Sequence, residues 1–385
     1  MIRVLFMAHL LDVGGAEVQL TALAKGLDRT RFEPSVITFY PGGPLEQDLR
    51  AAGIAVHSAD KQGRREIAGF LYRVGRAVRR LRPDILYSYL DFPNVVAGLA
   101  KLFVAGPKVV WGVRASNMNL QDRDFSWRLC FALERLLVGN ADLIICNSNS
   151  GRNHLVGRGF PAAKLEVIAN GIDSVRFAPD LAARARLRAA FGVADHQLLI
   201  GLIARLDPMK DHPTFLQAAA THANRSPHAR FICVADGGAD DMAETQAVGR
   251  SLGLDGRLIW TGRRDDIPEV VNALDINTLS SAYGEGFPNI VGEAMACGVP
   301  CVVTDVGDSA LVVGGLGKVV PPGRPAALAA AWAELAALPE PTRRELGRAC
   351  RARIVERFPP EAMVSRTAES FERLVGGTVG KARQA

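Results

Sequence analysis

Short apolar runs rich in β-branched residues recur along this chain, and segments with helical periodicity separate them. This alternation predicts an α/β fold with two doubly wound parallel sheets, because strands covered on both faces read as continuous apolar runs. The predicted strands of the first half are Ile2–Ala8, Pro34–Phe39, Ile54–His57, Ile85–Tyr89, Lys108–Val113, Leu143–Asn147 and Leu165–Ile168. Those of the second half are Leu198–Ile203, Phe231–Val234, Leu258–Trp260, Ile276–Leu279, Pro300–Thr304 and Lys318–Val320.

The length of 385 residues exceeds what one hydrophobic core usually supports, so we expect two domains. A turn-rich stretch that contains Pro179 suits a connector, and we place the boundary near residues 172–195. The first domain is predicted over residues 1–175 and the second over 195–358. A final helix, 360–385, is expected to pack back on the first domain.

Composition limits the classes of protein to which the chain can belong. Its six cysteines form no CxxC pair and its histidines form no cluster, so we expect reduced thiols and no metal site. Arg3 and His9 interrupt the apolar start, which favours a first strand over a secretory peptide. No run reaches the roughly 20 apolar residues that span a bilayer, and we expect a cytoplasmic protein. The net charge of +6 favours anionic partners.

Glycines follow the first predicted strand in the segment Asp12–Glu17. Gly14 and Gly15 allow close approach to a ligand, and the helix that follows them would offer N–H groups to a phosphate. The segment lacks the full pattern of a dinucleotide or phosphate-binding loop, so a simple tight turn is an equal alternative.

Two cations follow the first strand of the second half. Arg205 and Lys210 lie five residues apart in a loop after Leu198–Ile203. A guanidinium and an ammonium suit the oxygens of a diphosphate, although solvated surface charge is the commoner fate of loop cations.

A glycine-rich loop leads into an apolar helix between Tyr283 and Pro300. Glu285 falls in the loop after a strand, at the edge where open α/β sheets bind ligands. Glu293 lies two turns further, on a helix predicted over Pro288–Ala296, where a carboxylate can accept both hydroxyls of a ribose. The alternative for Glu293 is a place on a solvated helix face.

Taken together and in this order, these segments resemble the retaining GT-B glycosyltransferases of family 4. The resemblance covers nearly the whole chain and includes Asn147–Ser150, Asn170–Asp173 and Thr304–Gly307. It implies two Rossmann-like domains facing one cleft, and transfer of a sugar from a nucleotide diphosphate donor. The second domain would bind most of the donor.

The resemblance also implies roles for individual residues. Arg205 and Lys210 would hold the donor diphosphate, Glu293 the ribose, and Glu285 the transferred sugar. Gly14 and Gly15 would approach the diphosphate from the opposite domain. The backbone that would meet the sugar and phosphates is that of Gly286, Phe287, Pro288, Asn289 and Ile290. The loops on the base side would contribute Gly237, Gly262 and Arg263. No cofactor or metal is implied, and we interpret Asp122-Arg123-Asp124 as a surface or acceptor-side segment.

One departure from the family concerns the first domain. Many members carry histidines after its fourth and fifth strands, and neither corresponding stretch has one here. Asp91, Arg114 and Asn117 lie at these strand ends and are candidates to replace them. Asp91 could act as a base toward an acceptor hydroxyl, and Arg114 could stabilise negative charge. Structural roles for all three are an equal alternative.

The segment 64–81 combines an apolar stripe with many arginines. Such a helix can lie on an anionic membrane, which would suit a lipid-linked acceptor. We favour the alternative that the stripe faces its own sheet, and we keep peripheral contact with the inner face of the cell membrane as a hypothesis.

The predicted function is transfer of a sugar from a UDP-sugar, or from a GDP-sugar, to a saccharide or lipid-linked saccharide in cell-surface polysaccharide synthesis. A sugar-nucleotide epimerase and a non-catalytic sugar-nucleotide-binding subunit are the alternatives. No nucleic-acid recognition motif is present in the sequence.

Overall fold

The computed structural model describes residues 1–63, 66–116 and 125–382. The chain forms two compact units. The first holds Met1–Gly171 and the segment that begins at Pro360, and the second holds Ile172–Pro359. The stretch 172–195, predicted as a connector, is therefore part of the second unit. None of the described helices combines the length and apolarity that crossing a membrane requires.

The first unit is built on a parallel sheet of seven strands in the order β3-β2-β1-β4-β5-β6-β7. The strands are β1 (Ile2–Ala8), β2 (Phe32–Thr38), β3 (Ala55–Ser58), β4 (Ile85–Tyr89), β5 (Lys108–Val113), β6 (Leu143–Cys146) and β7 (Leu165–Val167). The helices are α1 (Gly15–Gly26), α2 (Pro44–Ala51), α3 (Ala68–Leu81), α4 (Asp91–Phe103), α5 (Phe125–Leu137), α6 (Asn149–Gly157) and the last helix of the chain, α15 (Pro360–Ala382).

The last helix packs on the first unit through aromatic and charged contacts. The Phe371 ring lies edge-on to Tyr87 at 5.5 Å and to Phe32 at 6.4 Å between centroids. The Arg31 guanidinium forms an ion pair with Glu372 at the surface. Burial of Phe371 supplies the apolar contact that fixes this helix, since aromatic side chains remove a large area from water.

The second unit repeats the design with six parallel strands in the order β10-β9-β8-β11-β12-β13. The strands are β8 (Leu198–Ile203), β9 (Ala229–Val234), β10 (Leu258–Trp260), β11 (Ile276–Leu279), β12 (Cys301–Thr304) and β13 (Lys318–Val320). The helices are α7 (Leu181–Ala190), α8 (His212–Ala223), α9 (Ala239–Ser251), α10 (Ile267–Ala273), α11 (Asn289–Ala296), α12 (Ser309–Val313), α13 (Pro325–Ala336) and α14 (Glu340–Arg357).

In the amphipathic segment 64–81, residues Ala68–Leu81 form α3, and Arg64 and Arg65 lie outside the described residues. Its Phe70, Val74 and Val78 recur at helical spacing and are buried in the core of the first unit. The apolar stripe therefore faces its own sheet, as we favoured from the sequence.

In both sheets the chain starts at a central strand, builds outward on one side and then crosses to the other. The crossing falls between β1 and β4 in the first unit and between β8 and β11 in the second. Loops diverge at such a switch point and leave a crevice at the carboxyl ends of the strands. The fold therefore predicts that a ligand binds at the loops that follow these four strands.

Candidate functional site

The loops after β8 and β11 begin side by side in the second unit, because these two strands pair directly. They carry Arg205 and Lys210 in one loop and Glu285 in the other. Arg205 is exposed, whereas Lys210 and Glu285 are largely enclosed. The switch point of the second unit therefore brings together two of the side chains predicted to bind the donor.

Lys210 and Glu285 form an ion pair with 2.5 Å between Lys210 Nζ and Glu285 Oε1. Only 17% of the lysine side chain and 7% of the glutamate side chain are exposed. A partly buried ammonium paired with one carboxylate can still donate to a second anion, because it carries three N–H groups. In this geometry Lys210 can bind a diphosphate oxygen. Glu285, beside it, can bind a polar group of the same ligand.

Serine hydroxyls that sequence reasoning missed hold this pair. Ser281 Oγ donates to Glu285 Oε1 at 2.6 Å, and Ser280 Oγ donates to the Lys210 carbonyl at 2.8 Å. The Ala282 N–H donates to the Met209 carbonyl at 2.8 Å. The two loops are thus joined by backbone and side-chain hydrogen bonds. Their position in the sequence could have indicated these serines, since both directly follow a buried strand.

The loop after β12 supports the Glu285 loop from the other side. Thr304 Oγ1 donates to the Ser281 carbonyl at 2.7 Å, and the Asp308 N–H donates to the Gly286 carbonyl at 2.9 Å. Gly307 has a φ of +64°, and a Cβ there would lie 2.5 Å from the Glu285 carbonyl oxygen. Only glycine fits this approach without moving the loop.

Glu293 lies on α11, the helix that the Glu285 loop leads into. Burial among apolar neighbours raises the pKa of Glu293 to about 7, and the positive charge of Arg176 opposes this shift. A carboxyl in that range gains or loses a proton near neutral pH. It is therefore sensitive to any ligand that prefers one of its two forms.

The backbone predicted to meet the ligand lies at the start of the same helix. Gly286, Phe287 and Pro288 form the approach, and Asn289 and Ile290 open α11. The Phe287 ring packs edge-on against Phe358 with 5.1 Å between centroids, which anchors the loop in the core. Pro288 provides no side-chain cap, so the first N–H groups of the helix favour an anion near them.

The loops after β9 and β10 lie next to each other on the same edge. Arg263 Nη1 lies 3.7 Å from Asp236 Oδ2, and both side chains are about half exposed. Gly237 packs against Leu206, where a Cβ would lie 2.7 Å from the Leu206 Cβ. Gly262 has a φ of +64° and open space beside it. The structure therefore groups Gly237, Gly262 and Arg263, the predicted base-side residues.

In the first unit, Gly14 immediately precedes α1 and Gly15 is the first residue of that helix. A Cβ on Gly14 would meet Glu17 Oε2, which is the end of a flexible side chain, and Gly14 has an extended φ of −129°. The backbone of this turn therefore does not by itself require glycine, and the ligand role of Gly14 stays a prediction.

Arg114 follows β5 and lies in a cluster of polar aromatic residues. Its guanidinium donates to the Tyr87 hydroxyl at 2.7 Å and to Asn170 Oδ1 at 3.4 Å. The guanidinium carbon also lies 4.3 Å from the centre of the Tyr89 ring, within the range of a cation–π contact. Much of the hydrogen-bonding capacity of Arg114 is therefore used inside the first unit.

Asp91 is the first residue of α4, directly after Leu90, which has a φ of +74°. Burial raises the pKa of the Asp91 carboxyl, while the positive charge of Arg158 opposes the shift. Glu134 on α5 is also buried and lies 3.5 Å from Arg158. Burial and the charge of Asp91 raise the pKa of Glu134. No sequence pattern indicated Glu134, because its partners come from two other helices.

Among residues 1–63, 66–116 and 125–382, no group of three or more His, Cys, Asp or Glu side chains is arranged to hold a metal ion. Asn117 and Asp122-Arg123-Asp124 lie outside the described residues.

Two family models match the chain, one in each unit. Residues 13–176 match the family described as Glycosyltransferase Family 4, and residues 197–337 match Glycosyl transferases group 1. A Bacillus subtilis protein named as the glycosyltransferase EpsF is 26% identical over 310 residues, which cover 79% of each protein. The UDP-Gal:alpha-D-GlcNAc-diphosphoundecaprenol alpha-1,3-galactosyltransferase of Escherichia coli is 26% identical over 243 residues, which cover 62% of each.

A solved structure matches both units. The Anabaena protein Alr3699/HepE in complex with UDP-glucose has a TM-score of 0.84 and 25% sequence identity to this chain. The match covers 97% of this chain and 100% of the Anabaena chain.

Proposed function

Since the chain belongs to family 4 of the glycosyltransferases and has the GT-B fold, we propose that it transfers a sugar, with retention, from a UDP-sugar to a saccharide or lipid-linked saccharide acceptor. The comparisons confirm the predicted family, fold and enzyme class. The donor, the acceptor and the stereochemistry are the parts that we propose.

The Lys210–Glu285 pair is the observation that carries this proposal. It lies where the strand order of the second unit reverses, and there the enclosed ammonium can bind a diphosphate oxygen. Arg205, in the same loop, would add a second cation. Together they would neutralise the departing diphosphate as the bond to the anomeric carbon breaks. We propose that these cations and the start of α11 replace a metal ion in this role.

UDP is the proposed nucleotide because two of the matched proteins are named with it. The Anabaena structure holds UDP-glucose, and the Escherichia coli relative is named for UDP-Gal. The acceptor named for that relative is a sugar carried on diphosphoundecaprenol. This name supports a lipid-linked acceptor and a place in cell-surface polysaccharide synthesis.

Asp91 and Arg114 are the proposed acceptor-side residues of the first unit. The raised pKa of Asp91 suits a general base, because a base works best when its pKa lies close to the working pH. Arg114 is held by Tyr87 and Tyr89, so we propose that it acts as a fixed positive charge.

We also propose peripheral contact with an anionic membrane, through the first unit. A groove of about 680 Å³ there is lined by Arg3, Arg79, Arg82 and Lys108, together with Asp84, which pairs with Arg3 at 3.6 Å. Arg79 Nη2 donates to the carbonyl of Phe103, whose own side chain is 66% exposed. An arginine beside an exposed aromatic residue, next to a groove with an excess of cations, suits an anionic lipid surface. Co-sedimentation with phosphatidylglycerol vesicles at low salt, but not with phosphatidylcholine vesicles, is the expected result; equal recovery in solution with both would contradict it.

The test of the donor assignment is calorimetric titration of UDP-sugars and GDP-sugars against the chain, with EDTA present throughout. We expect one UDP-sugar to bind without metal and Glu293→Ala to lose that binding. Binding of a GDP-sugar alone would correct the base, and absence of binding by every donor would overturn the proposed function.

A further inference from the structure

Ser281 is fully buried and lies two residues after the end of β11. Its hydroxyl donates to Glu285 Oε1 at 2.6 Å. The same oxygen accepts a hydrogen bond from Lys210 Nζ at 2.5 Å. One carboxylate oxygen therefore receives a neutral donor and a charged donor at once, from different directions in the loop.

These two donors differ in how firmly they are held. Lys210 reaches Glu285 through a long flexible side chain, and its remaining N–H groups can turn to another anion. Ser281 has a short side chain with a single O–H, so its direction is set by its backbone. When Lys210 turns toward a diphosphate, the serine still donates to the carboxylate.

The backbone of Ser281 is itself fixed from two strands. Its carbonyl accepts a hydrogen bond from Thr304 Oγ1 at 2.7 Å, and Thr304, at the end of β12, is 1% exposed. The following residue, Ala282, donates its N–H to the Met209 carbonyl beside Lys210. The hydroxyl is thus aimed before any ligand arrives, which is the condition for a preorganised site.

We infer that Ser281 is a positioning residue of the donor site, which holds the Glu285 carboxylate toward the transferred sugar while Lys210 is shared with the donor diphosphate. This inference rests on the proposed function. It distinguishes two parts of the donor: the sugar, which depends on Ser281 through Glu285, and the diphosphate, which does not.

The experiment compares the affinities of UDP-glucose, UDP-galactose and UDP for the full chain and for Ser281→Ala, by calorimetry. A hydrogen bond to a charged group corresponds to about tenfold in affinity, so we expect the variant to lose about that factor for the UDP-sugar that binds. Its affinity for UDP should stay unchanged, because Lys210 is still present.

Thr278→Val is the matched control, since Thr278 lies on β11 just before Ser281, is buried, and accepts a hydrogen bond from Trp332 Nε1 at 3.1 Å. It should alter neither affinity. In a Glu285→Ala background, which removes the acceptor of the Ser281 hydroxyl, Ser281→Ala should cost no further affinity, because the residue acts through the carboxylate.

The possible results separate the inference from the proposed function. Equal weakening of UDP and UDP-sugar binding, or an undiminished loss in the Glu285→Ala background, would show a merely structural serine and overturn the inference. Equal affinity of the unmodified chain and of Ser281→Ala for the UDP-sugar would overturn it too. An unmodified chain that binds no UDP compound would overturn the proposed function itself.

Discussion

The two units carry sheets wound in the same way, yet the carboxyl edges of these sheets hold charge differently. In the second unit, Lys210 and Glu285 pair with each other at the switch point. In the first unit, Arg114 is engaged by Tyr87 and Tyr89. Lys210 carries its ammonium at the end of a long side chain and pairs it with a carboxylate, whereas the guanidinium of Arg114 lies against aromatic side chains.

This difference shows that strand order fixes where a ligand can bind but not which ligand binds. Both sheets place loops at a crevice because both reverse direction at a central strand. The residues that follow those strands then decide the chemistry. We therefore expect the second unit to carry donor binding, and charge in the first unit to have a different role.

The largest effect that we expect is the difference in UDP-glucose affinity between Lys210→Ala and Arg114→Ala. Lys210→Ala removes the proposed diphosphate ligand and leaves Glu285 enclosed without its ion pair, so UDP-glucose affinity should fall about 100-fold. Arg114→Ala should leave that affinity unchanged, because its partners belong to the first unit. Calorimetry on both variants measures the contrast, and equal losses would remove the distinction that we draw.

Gly307→Ala should displace the Glu285 loop at the carboxyl edge of the second unit's sheet, because the substitution strains the backbone. The new Cβ would lie 2.5 Å from the Glu285 carbonyl oxygen, and alanine disfavours a φ of +64°. We expect a loss of about 1–3 kcal/mol in unfolding free energy, together with weaker UDP-glucose binding. Thermal unfolding and calorimetry give the two readouts.

Gly323→Ala is the control for that substitution, because Gly323 has a φ of +65° with open space beside it. It should share the backbone strain and keep full UDP-glucose affinity. If both variants bind alike, the contact between Gly307 and the Glu285 loop does not shape the site.

Glu134→Gln should change how stability depends on pH. Burial raises the pKa of Glu134 in the folded chain, so the unfolded chain loses this proton first as the pH rises. The free energy of unfolding therefore falls as the pH rises from the ordinary carboxyl pKa toward the raised pKa of Glu134 in the folded chain. The glutamine variant should show a smaller drop in thermal midpoint between about pH 5 and pH 9. An identical drop in both proteins would contradict a raised pKa of Glu134 in the folded chain.

The smallest effect concerns Glu293, whose pKa is raised to about 7 by burial. If its ionised form accepts the ribose hydroxyls, UDP-glucose should bind a few-fold more tightly as the pH rises through about 7. Glu293→Gln should abolish this pH dependence. UDP-glucose is the proper probe because its diphosphate has no proton that titrates in this range, and a pH-dependent variant would point to another group.

Sequence reasoning located the strands well, because buried parallel strands read as apolar runs. Ile85–Tyr89 and Leu198–Ile203 have the predicted bounds in the structure. Glu285 was predicted to bind a ligand because it lies in the loop after such a strand, and this role stays a prediction. The stretch 172–195, predicted as a connector, contains α7 and groups with the second unit, whose first residue is Ile172.

What the sequence could not reveal is which polar groups meet across loops. Ser281 reads as an ordinary loop serine until its hydrogen bond to Glu285 is seen. Glu134 reads as one charge on an amphipathic helix, although Arg158 at the end of another helix is its ion-pair partner. Such pairs depend on tertiary packing, which no local pattern records.

The most direct test of the account is a crystal structure of the chain with UDP bound. We expect the diphosphate within hydrogen-bond distance of Lys210 Nζ and the ribose beside Glu293, at the carboxyl edge of the second sheet. UDP bound at any other place, the Arg114 cluster of the first unit included, would contradict the assignment of the donor site to the second unit.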